Sequence, residues 1–271
     1  MMPRTHVLSA EPDSVSPDGS AEIRHILQSP HGDLTHAVCR AGSMAAVHHL
    51  PELDEGYFVL AGEGELWRRT EDREAVTSLK PGRWVAMPAG MKFTYRANKG
   101  TPLVFLVMVL PSWKPELFHT FPGGPWAGDA DGTTPPTAES VLVENWMCGD
   151  LRAHYDYLAP DGSEIRLLAD FAKGGLAQCT LPPGTRSSPV RHKTVHEIWY
   201  VTEGHGELWR RSDSDEVNVT ILWPGVGVDI PLGTTFQFRT IGMRPLVMVL
   251  LTMPRWPGAD EAVAEPRGRW G

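Results

Sequence analysis

An internal repeat is the feature that most constrains how this 271-residue chain can fold. The segment GEGELWRR at residues 62–69 returns as GHGELWRR at residues 204–211, with seven of the eight residues identical. The tripeptide EIR at residues 22–24 returns at residues 164–166, with the same spacing of 142 residues. Agreement of this kind indicates a duplicated domain, so each copy must fold within about half of the chain.

Each copy consists of short segments that are typical of β-strands. Residues 55–60 and 197–202 are rich in aromatic and β-branched side chains, and a glycine follows shortly after each. The apolar runs at residues 104–110 and 246–251 have the length of strands that are buried on both faces. The chain has 27 Gly and 24 Pro, which punctuate it into many short segments. The sequence therefore predicts an all-β protein of two sandwich or barrel units, with the repeated WRR in a strand at the rim.

The repeat also suggests domain boundaries. We expect an N-terminal arm over residues 1–20, a first domain over 21–121, a linker over 122–145 and a second domain over 146–271. The segment 122–138 is rich in Gly, Pro, Thr and Asp, a composition that is typical of a surface linker.

Charge and composition argue against several classes of function. The net charge of −8 disfavours nucleic-acid binding, which needs a basic face. The sequence has no run of about 20 uncharged apolar residues, so it predicts no membrane span. The N-terminus lacks the apolar core of a signal peptide, and we therefore expect a cytoplasmic protein. The three cysteines, Cys39, Cys148 and Cys179, have no CxxC spacing and are interpreted as small apolar residues of strands.

Two blocks of spaced residues around the repeated glycines carry a family resemblance. They resemble the cupin motifs G-x5-H-x-H-x4-E-x6-G and G-x5-P-x-G-x2-H, and the resemblance implies two tandem cupin barrels of the double-stranded β-helix, or jelly-roll, type. The second copy is also similar to bacterial single-domain cupin proteins in its segments EIWY, FQFR and TMPRWPG. The matching residues are Gly42, His48, Glu55, Gly62, Gly82, Pro88 and Gly90 in the first copy and Gly184, His192, Glu197, Gly204, Gly225, Pro231 and Gly233 in the second.

In cupins, the histidines and the glutamate of these motifs imply an open site for a divalent metal such as Fe, Mn, Ni or Zn. Each copy of this chain keeps one histidine and one glutamate of the four ligands, whereas catalytic metal sites normally take three protein ligands. The remaining ligand positions hold Leu50 and Phe93 in the first copy and Val190 and Phe236 in the second.

Three residues could replace a missing ligand. His49 and His196 lie next to motif residues, but neighbours in a strand point in opposite directions. Gln237 would face the second cavity if the register of its strand were shifted by one residue, and the same shift would present Lys92, Thr94 and Arg96 in the first cavity. The expected metal ligands are therefore His192, Glu197 and Gln237.

Three functions remain open. The first is a metal-dependent bicupin enzyme of dioxygenase, decarboxylase, isomerase or cyclase type, acting on a small organic substrate in the C-terminal barrel. The second is a metal-free cyclase or isomerase that uses His48 and Glu55 as acid and base, with Tyr57 in the same cavity. The third is a non-catalytic module that binds a small ligand. A homodimer is compatible with each of them.

Overall fold

A computed structural model describes residues 2–126 and 146–271, so most of the expected linker lies outside the described residues. These residues form short β-strands and two single-turn 3-10 helices, Pro115–Leu117 and Ala259–Glu261. The prediction of an all-β fold is confirmed. No helix among the described residues is long and apolar enough to cross a membrane.

The chain divides into two compact units, with boundaries between Leu8 and Ser9 and between Leu151 and Arg152. The N-terminal unit has a seven-stranded sheet in the order β13-β9-β6-β11-β4-β3-β2 and a five-stranded sheet in the order β12-β5-β10-β7-β8. Its strands are β2 (Ser14–Val15), β3 (Ala21–Ser29), β4 (Gly32–Cys39), β5 (Val47–His49), β6 (Asp54–Ala61), β7 (Gly64–Arg69), β8 (Glu74–Leu79), β9 (Arg83–Met87), β10 (Lys92–Ala97), β11 (Leu103–Leu110), β12 (His119–Phe121) and β13 (Cys148–Asp150).

The C-terminal unit repeats this arrangement. Its sheets run β1-β21-β18-β23-β16-β15-β14 and β20-β19-β22-β17-β24, so corresponding strands have corresponding neighbours. Its strands are β1 (Thr5–Val7), β14 (Tyr157–Leu158), β15 (Glu164–Phe171), β16 (Gly174–Leu181), β17 (Val190–His192), β18 (His196–Glu203), β19 (Gly206–Arg211), β20 (Val217–Leu222), β21 (Val226–Ile230), β22 (Thr235–Thr240), β23 (Leu246–Met253) and β24 (Ala262–Ala264).

Side-chain alternation places one face of each strand in a core. In the N-terminal unit the core includes Leu66, Phe93 and Phe105, and in the C-terminal unit it includes Leu208 and Phe236. The strands β11 and β23 are buried along almost their whole length, as their continuous apolar sequences predict.

Each unit also contains a short strand from outside its own repeat. Strand β1 pairs with β21, where Thr5 lies opposite Val228, and β13 pairs with β9, where Cys148 lies opposite Val85. Strand β1 therefore belongs to the C-terminal unit and β13 to the N-terminal unit. These three-residue strands are held by backbone hydrogen bonds and have no apolar periodicity that a sequence pattern could show.

The first arginine of the repeated WRR holds these added strands. Arg68 Nη1 donates to the carbonyl oxygen of Met147 at 3.0 Å, and Arg210 Nη1 donates to that of Arg4 at 2.8 Å. Both arginines are 0% exposed. The motif lies in strands, as expected, but its first arginine is an interior anchor and not a rim residue.

Candidate functional site

The N-terminal unit encloses a cavity of about 420 Å³, and His48, Glu55 and Tyr57 line it together. Glu55 and Tyr57 both point inward from β6 because side chains two residues apart share a face of a strand. His48 reaches the same cavity from β5 in the opposite sheet. The other wall residues include Asp18, Asp33, Tyr95, Phe105, Val107, Val109, Trp113 and Phe118.

Glu55 is a buried carboxyl group that shares the cavity with Tyr57. Tyr57 forms a side-chain hydrogen bond with it, in which the hydroxyl donates to the carboxylate. Burial raises the pKa of Glu55 to about 7, against a lowering by the Tyr57 hydrogen bond, and the nearby Asp18 charge adds to the increase. The Tyr57 pKa lies well above 10, because of burial and because of the neighbouring carboxylate. Glu55 can therefore gain or lose a proton near neutral pH, whereas Tyr57 stays protonated.

His48 is fixed in one orientation. Its Nδ1 lies 2.8 Å from the carbonyl oxygen of Ala46, and since a carbonyl only accepts, Nδ1 carries the hydrogen. The ring packs against Phe93 and Phe118 at centroid distances of 4.2 and 4.7 Å. Burial lowers the pKa of His48, so the ring is neutral at pH 7 and its Nε2 is a proton acceptor.

Asp18 is a cavity residue that the motif analysis missed. It accepts hydrogen bonds from Ser16, Ser20 and the backbone N–H of Ala46, the last at 2.8 Å. Burial opposes ionisation, but these bonds outweigh it and lower the pKa of Asp18. The available signal was the repeat itself, because the tetrapeptide Pro-Asp-Gly-Ser recurs in the second copy with Asp161, which lines the other cavity.

The C-terminal unit encloses a smaller cavity of about 200 Å³, which His192 and Glu197 line together. His192 Nδ1 lies 4.0 Å from Glu197 Oε2, and Trp199 Nε1 donates to the same oxygen at 2.7 Å. Burial raises the pKa of Glu197 to about 8 and lowers that of His192 to about 4. Both side chains are thus mainly uncharged at pH 7.

The structure does not bring Gln237 into this cavity. Its amide nitrogen donates to the carbonyl oxygens of Ser187 and Trp270 at 2.9 and 3.0 Å, and its amide oxygen accepts from Trp270 N–H at 2.9 Å. Phe236 and Phe238 line the cavity instead. The expected ligand role of Gln237 is corrected accordingly: burial of the two phenylalanines fixes the register of β22 and turns Gln237 to the outer face.

The other proposed substitutes also lie outside the cavities. His49 contacts His119 at a ring-centroid distance of 5.5 Å, and His196 Nε2 lies 4.0 Å from Asp229 Oδ2. Arg96 forms an ion pair with Glu65 at 2.7 Å, so it contributes no cationic lining to the first cavity. These positions follow the strand alternation that the sequence indicated.

The side chains of the C-terminal cavity do not complete a metal centre. No group of three or more His, Cys, Asp or Glu side chains suited to a metal occurs within residues 2–126 and 146–271. Two donors bound to one ion at about 2.1 Å in tetrahedral geometry lie about 3.4 Å apart. The 4.0 Å between His192 Nδ1 and Glu197 Oε2 exceeds that spacing, and Oε2 already accepts from Trp199.

The raised pKa of Glu197 predicts a pH dependence of stability. The folded state holds a proton up to about pH 8, whereas the unfolded state releases it near pH 4.5. The free energy of unfolding should therefore fall as pH rises through this window. In Glu197→Gln, the free energy of unfolding, measured with urea at several pH values, should fall less steeply with pH, so that its slope against pH is flatter than in the wild type. Glu203→Gln, at an exposed position of the same strand, should keep the wild-type slope, and an unchanged slope in Glu197→Gln would contradict the assignment.

Comparisons with known proteins establish the fold. No family model matches the chain. An uncharacterized protein of Methanocaldococcus jannaschii is 29% identical over 124 residues, which cover 42% of this chain and 95% of that protein.

Solved structures of oxalate decarboxylase from Bacillus subtilis superpose on most of the chain. A single-site tryptophan-to-phenylalanine variant has a TM-score of 0.71 at 13% identity and covers 96% of this chain and 78% of that one. The structure at pH 4.6 has a TM-score of 0.68 at 12% identity with the same coverage. At this identity the likeness concerns the fold and not the chemistry. The likeness therefore shows the fold of this chain, which is all-β and of the cupin-barrel type.

Proposed function

We propose that this protein is an enzyme that transfers protons on a small organic substrate in the N-terminal cavity. Glu55 is the acid–base group, His48 is a second proton acceptor, and Tyr57 orients the Glu55 carboxyl. The observation that carries the proposal is the convergence of these three side chains, from two sheets, on one largely apolar cavity of about 420 Å³.

The surroundings of Glu55 suit general acid–base catalysis. A proton-transfer group is most effective when its pKa lies near the working pH, and the pKa of Glu55 is about 7. Phe105, Val107 and Val109 line the same cavity and make the surroundings of the carboxyl group largely apolar. Tyr57, which lies beside Glu55, stays protonated throughout.

This arrangement favours isomerisation or cyclisation. In the ionised state, Glu55 can take a proton from a carbon next to a substrate carbonyl and return it to another atom of the same substrate. His48 Nε2 can take a proton from a substrate hydroxyl and return it to another atom of the same substrate, since its Nδ1–H is held by Ala46. Such a reaction is redox-neutral and balanced within one substrate, so it needs no oxidant and no second reactant.

The second candidate is the metal-dependent enzyme that the sequence suggested. It would hold Fe, Mn, Ni or Zn at His192 and Glu197 in the C-terminal cavity. The likeness to oxalate decarboxylase favours it, whereas the donor set described above does not. Metal analysis of the purified protein beside a His192→Ala/Glu197→Ala double variant distinguishes the two, because this candidate requires metal that the double variant has lost.

Deuterium exchange tests the proton-transfer proposal. The full-length protein is incubated in heavy water containing a chelator with a panel of small aromatic ketones and β-diketones, and NMR follows the replacement of carbon-bound hydrogen. We expect catalysed exchange in at least one compound, with a rate reduced about 100-fold or more in Glu55→Gln. His48→Ala should also reduce the rate.

The matched control is Glu63→Gln, which changes an exposed glutamate outside the cavity and should exchange at the wild-type rate. Exchange that persists in Glu55→Gln would refute the role of Glu55. Exchange that occurs without the chelator and stops in its presence would favour the metal-dependent candidate. Binding of the panel without any exchange would favour a non-catalytic module.

A further inference from the structure

The cavity of the C-terminal unit contains a buried polar atom without a partner. The His192 side chain is 5% exposed and lines this cavity. Its Nδ1 has no hydrogen-bond partner among the residues that the structure describes. Glu197 Oε2, at 4.0 Å, is beyond direct hydrogen-bonding distance. A buried polar atom in this state is destabilising unless another group satisfies it.

We propose that this cavity is a second binding site, which takes a small uncharged organic molecule through a hydroxyl group placed between His192 Nδ1 and Glu197 Oε2. A hydroxyl both donates and accepts, so it matches either tautomer of His192. An oxygen about 2.8 Å from each of two atoms that lie 4.0 Å apart makes an angle of about 90° with them, which hydrogen bonding allows.

The walls around this gap fit an apolar ring. The His192 ring lies 5.0 Å from the Phe236 ring and 5.2 Å from the Trp256 ring, both edge-to-face. Trp199 packs against Phe236 at 5.3 Å and completes an aromatic wall. The cavity, at about 200 Å³, lies below the range usual for drug-sized ligands, which favours a single-ring molecule. Its aliphatic lining includes Ile165, Leu167, Leu168, Leu176, Val190 and Leu250.

The charges of the cavity disfavour an anion. Among the described residues its lining has one arginine, Arg255, which pairs with Asp170 at 2.6 Å, and both side chains are more than half exposed. The remaining ionisable carboxyl groups in the lining are Asp161 and Glu197. A carboxylate ligand would meet these groups without an unpaired guanidinium or ammonium group to neutralise it, whereas an alcohol or a phenol needs no counter-charge.

Fluorine NMR with three matched probes tests the site on the full-length protein. The probes are 4-fluorophenol, fluorobenzene and 4-fluorobenzoate, which share a ring and differ in the hydroxyl group or the charge. We expect 4-fluorophenol to bind at least about tenfold more tightly than fluorobenzene, since only the phenol bonds the gap between His192 and Glu197. The benzoate should bind more weakly than the phenol.

Two variants locate the binding. His192→Phe keeps an aromatic ring in the wall but removes the nitrogen, and should weaken 4-fluorophenol binding about tenfold, to the level of fluorobenzene. Glu55→Gln, in the other cavity, should leave it unchanged. Equal binding of the phenol to wild type and His192→Phe, or no binding of the phenol, would overturn the inference. A metal ion that is present in the purified wild type and absent from His192→Phe would also overturn it. Loss of 4-fluorophenol binding in Glu55→Gln but not in His192→Phe would place the phenol in the other cavity. That result would overturn this inference and leave the proposed reaction intact.

Discussion

Replacing Arg210 with methionine is expected to lower the free energy of unfolding of the C-terminal unit by about 3–5 kcal/mol. The arginine is 0% exposed, and methionine fills part of its volume without any hydrogen-bond donor. The substitution leaves the buried Asp229, whose Oδ1 lies 3.9 Å from Arg210 Nη1, with less compensating charge. The guanidinium donates to Arg4 O, Thr5 Oγ1, Asn218 Oδ1, Thr220 Oγ1 and Asp229 O.

The loss should be greatest at the N-terminal strand. Two of the five acceptors belong to Arg4 and Thr5, which otherwise depend on the pairing of β1 with β21 and on the Arg4–Asp229 ion pair at 2.7 Å. Hydrogen exchange followed by mass spectrometry should therefore show faster exchange in peptides covering residues 2–8 before the rest of the unit. Urea unfolding gives the accompanying change in free energy.

Arg211→Met is the matched control. This neighbouring side chain is 33% exposed, and its ion pairs with Asp215 and Glu265 are 4.0 and 3.5 Å long. Such exposed pairs contribute at most about 1 kcal/mol. If the two variants lose the same stability, or if residues 2–8 keep their protection in Arg210→Met, the anchoring role of Arg210 is wrong.

Strand alternation predicted much of the N-terminal site from the sequence. Glu55 and Tyr57 share a face of one strand because they are two residues apart, and the motif spacing placed His48 opposite them. The structure brings all three to one cavity. The same rule turned His49 and His196 away from the cavities, as observed. Local periodicity sufficed because each of these positions depends only on the residue's own strand.

Features that depend on more than one strand could not be predicted in this way. A period of two allows two registers for β22, and only the packing of Phe236 and Phe238 in the core determines that Gln237 faces outward. Likewise, the pairing of β1 with β21 and that of β13 with β9 depend on backbone groups, which are the same for every sequence. Asp18 enters the cavity from a turn, to which no strand periodicity applies.

Replacing Gly204 with alanine is expected to lower the free energy of unfolding by about 3–5 kcal/mol. The residue has φ +77°, and a Cβ built on it would lie 2.0 Å from the carbonyl oxygen of Pro245. Since this neighbour is backbone and not a flexible side chain, the chain itself must move. Pro245 immediately precedes β23, whose Thr252 pairs with Glu197, so the displacement should also loosen the C-terminal cavity.

Gly242→Ala separates the two sources of this cost. Gly242 also has a positive φ, +89°, but a Cβ there meets no atom of the described residues within 4 Å, so its alanine variant should lose only about 1 kcal/mol. The first copy provides an internal replicate: a Cβ on Gly62, with φ +76°, would lie 2.0 Å from the carbonyl oxygen of Pro102. Urea unfolding should therefore show similar large losses for Gly62→Ala and Gly204→Ala. Equal losses for Gly204→Ala and Gly242→Ala would instead attribute the whole effect to φ, and the close approach of the two backbone segments would not explain why this glycine occurs in both copies.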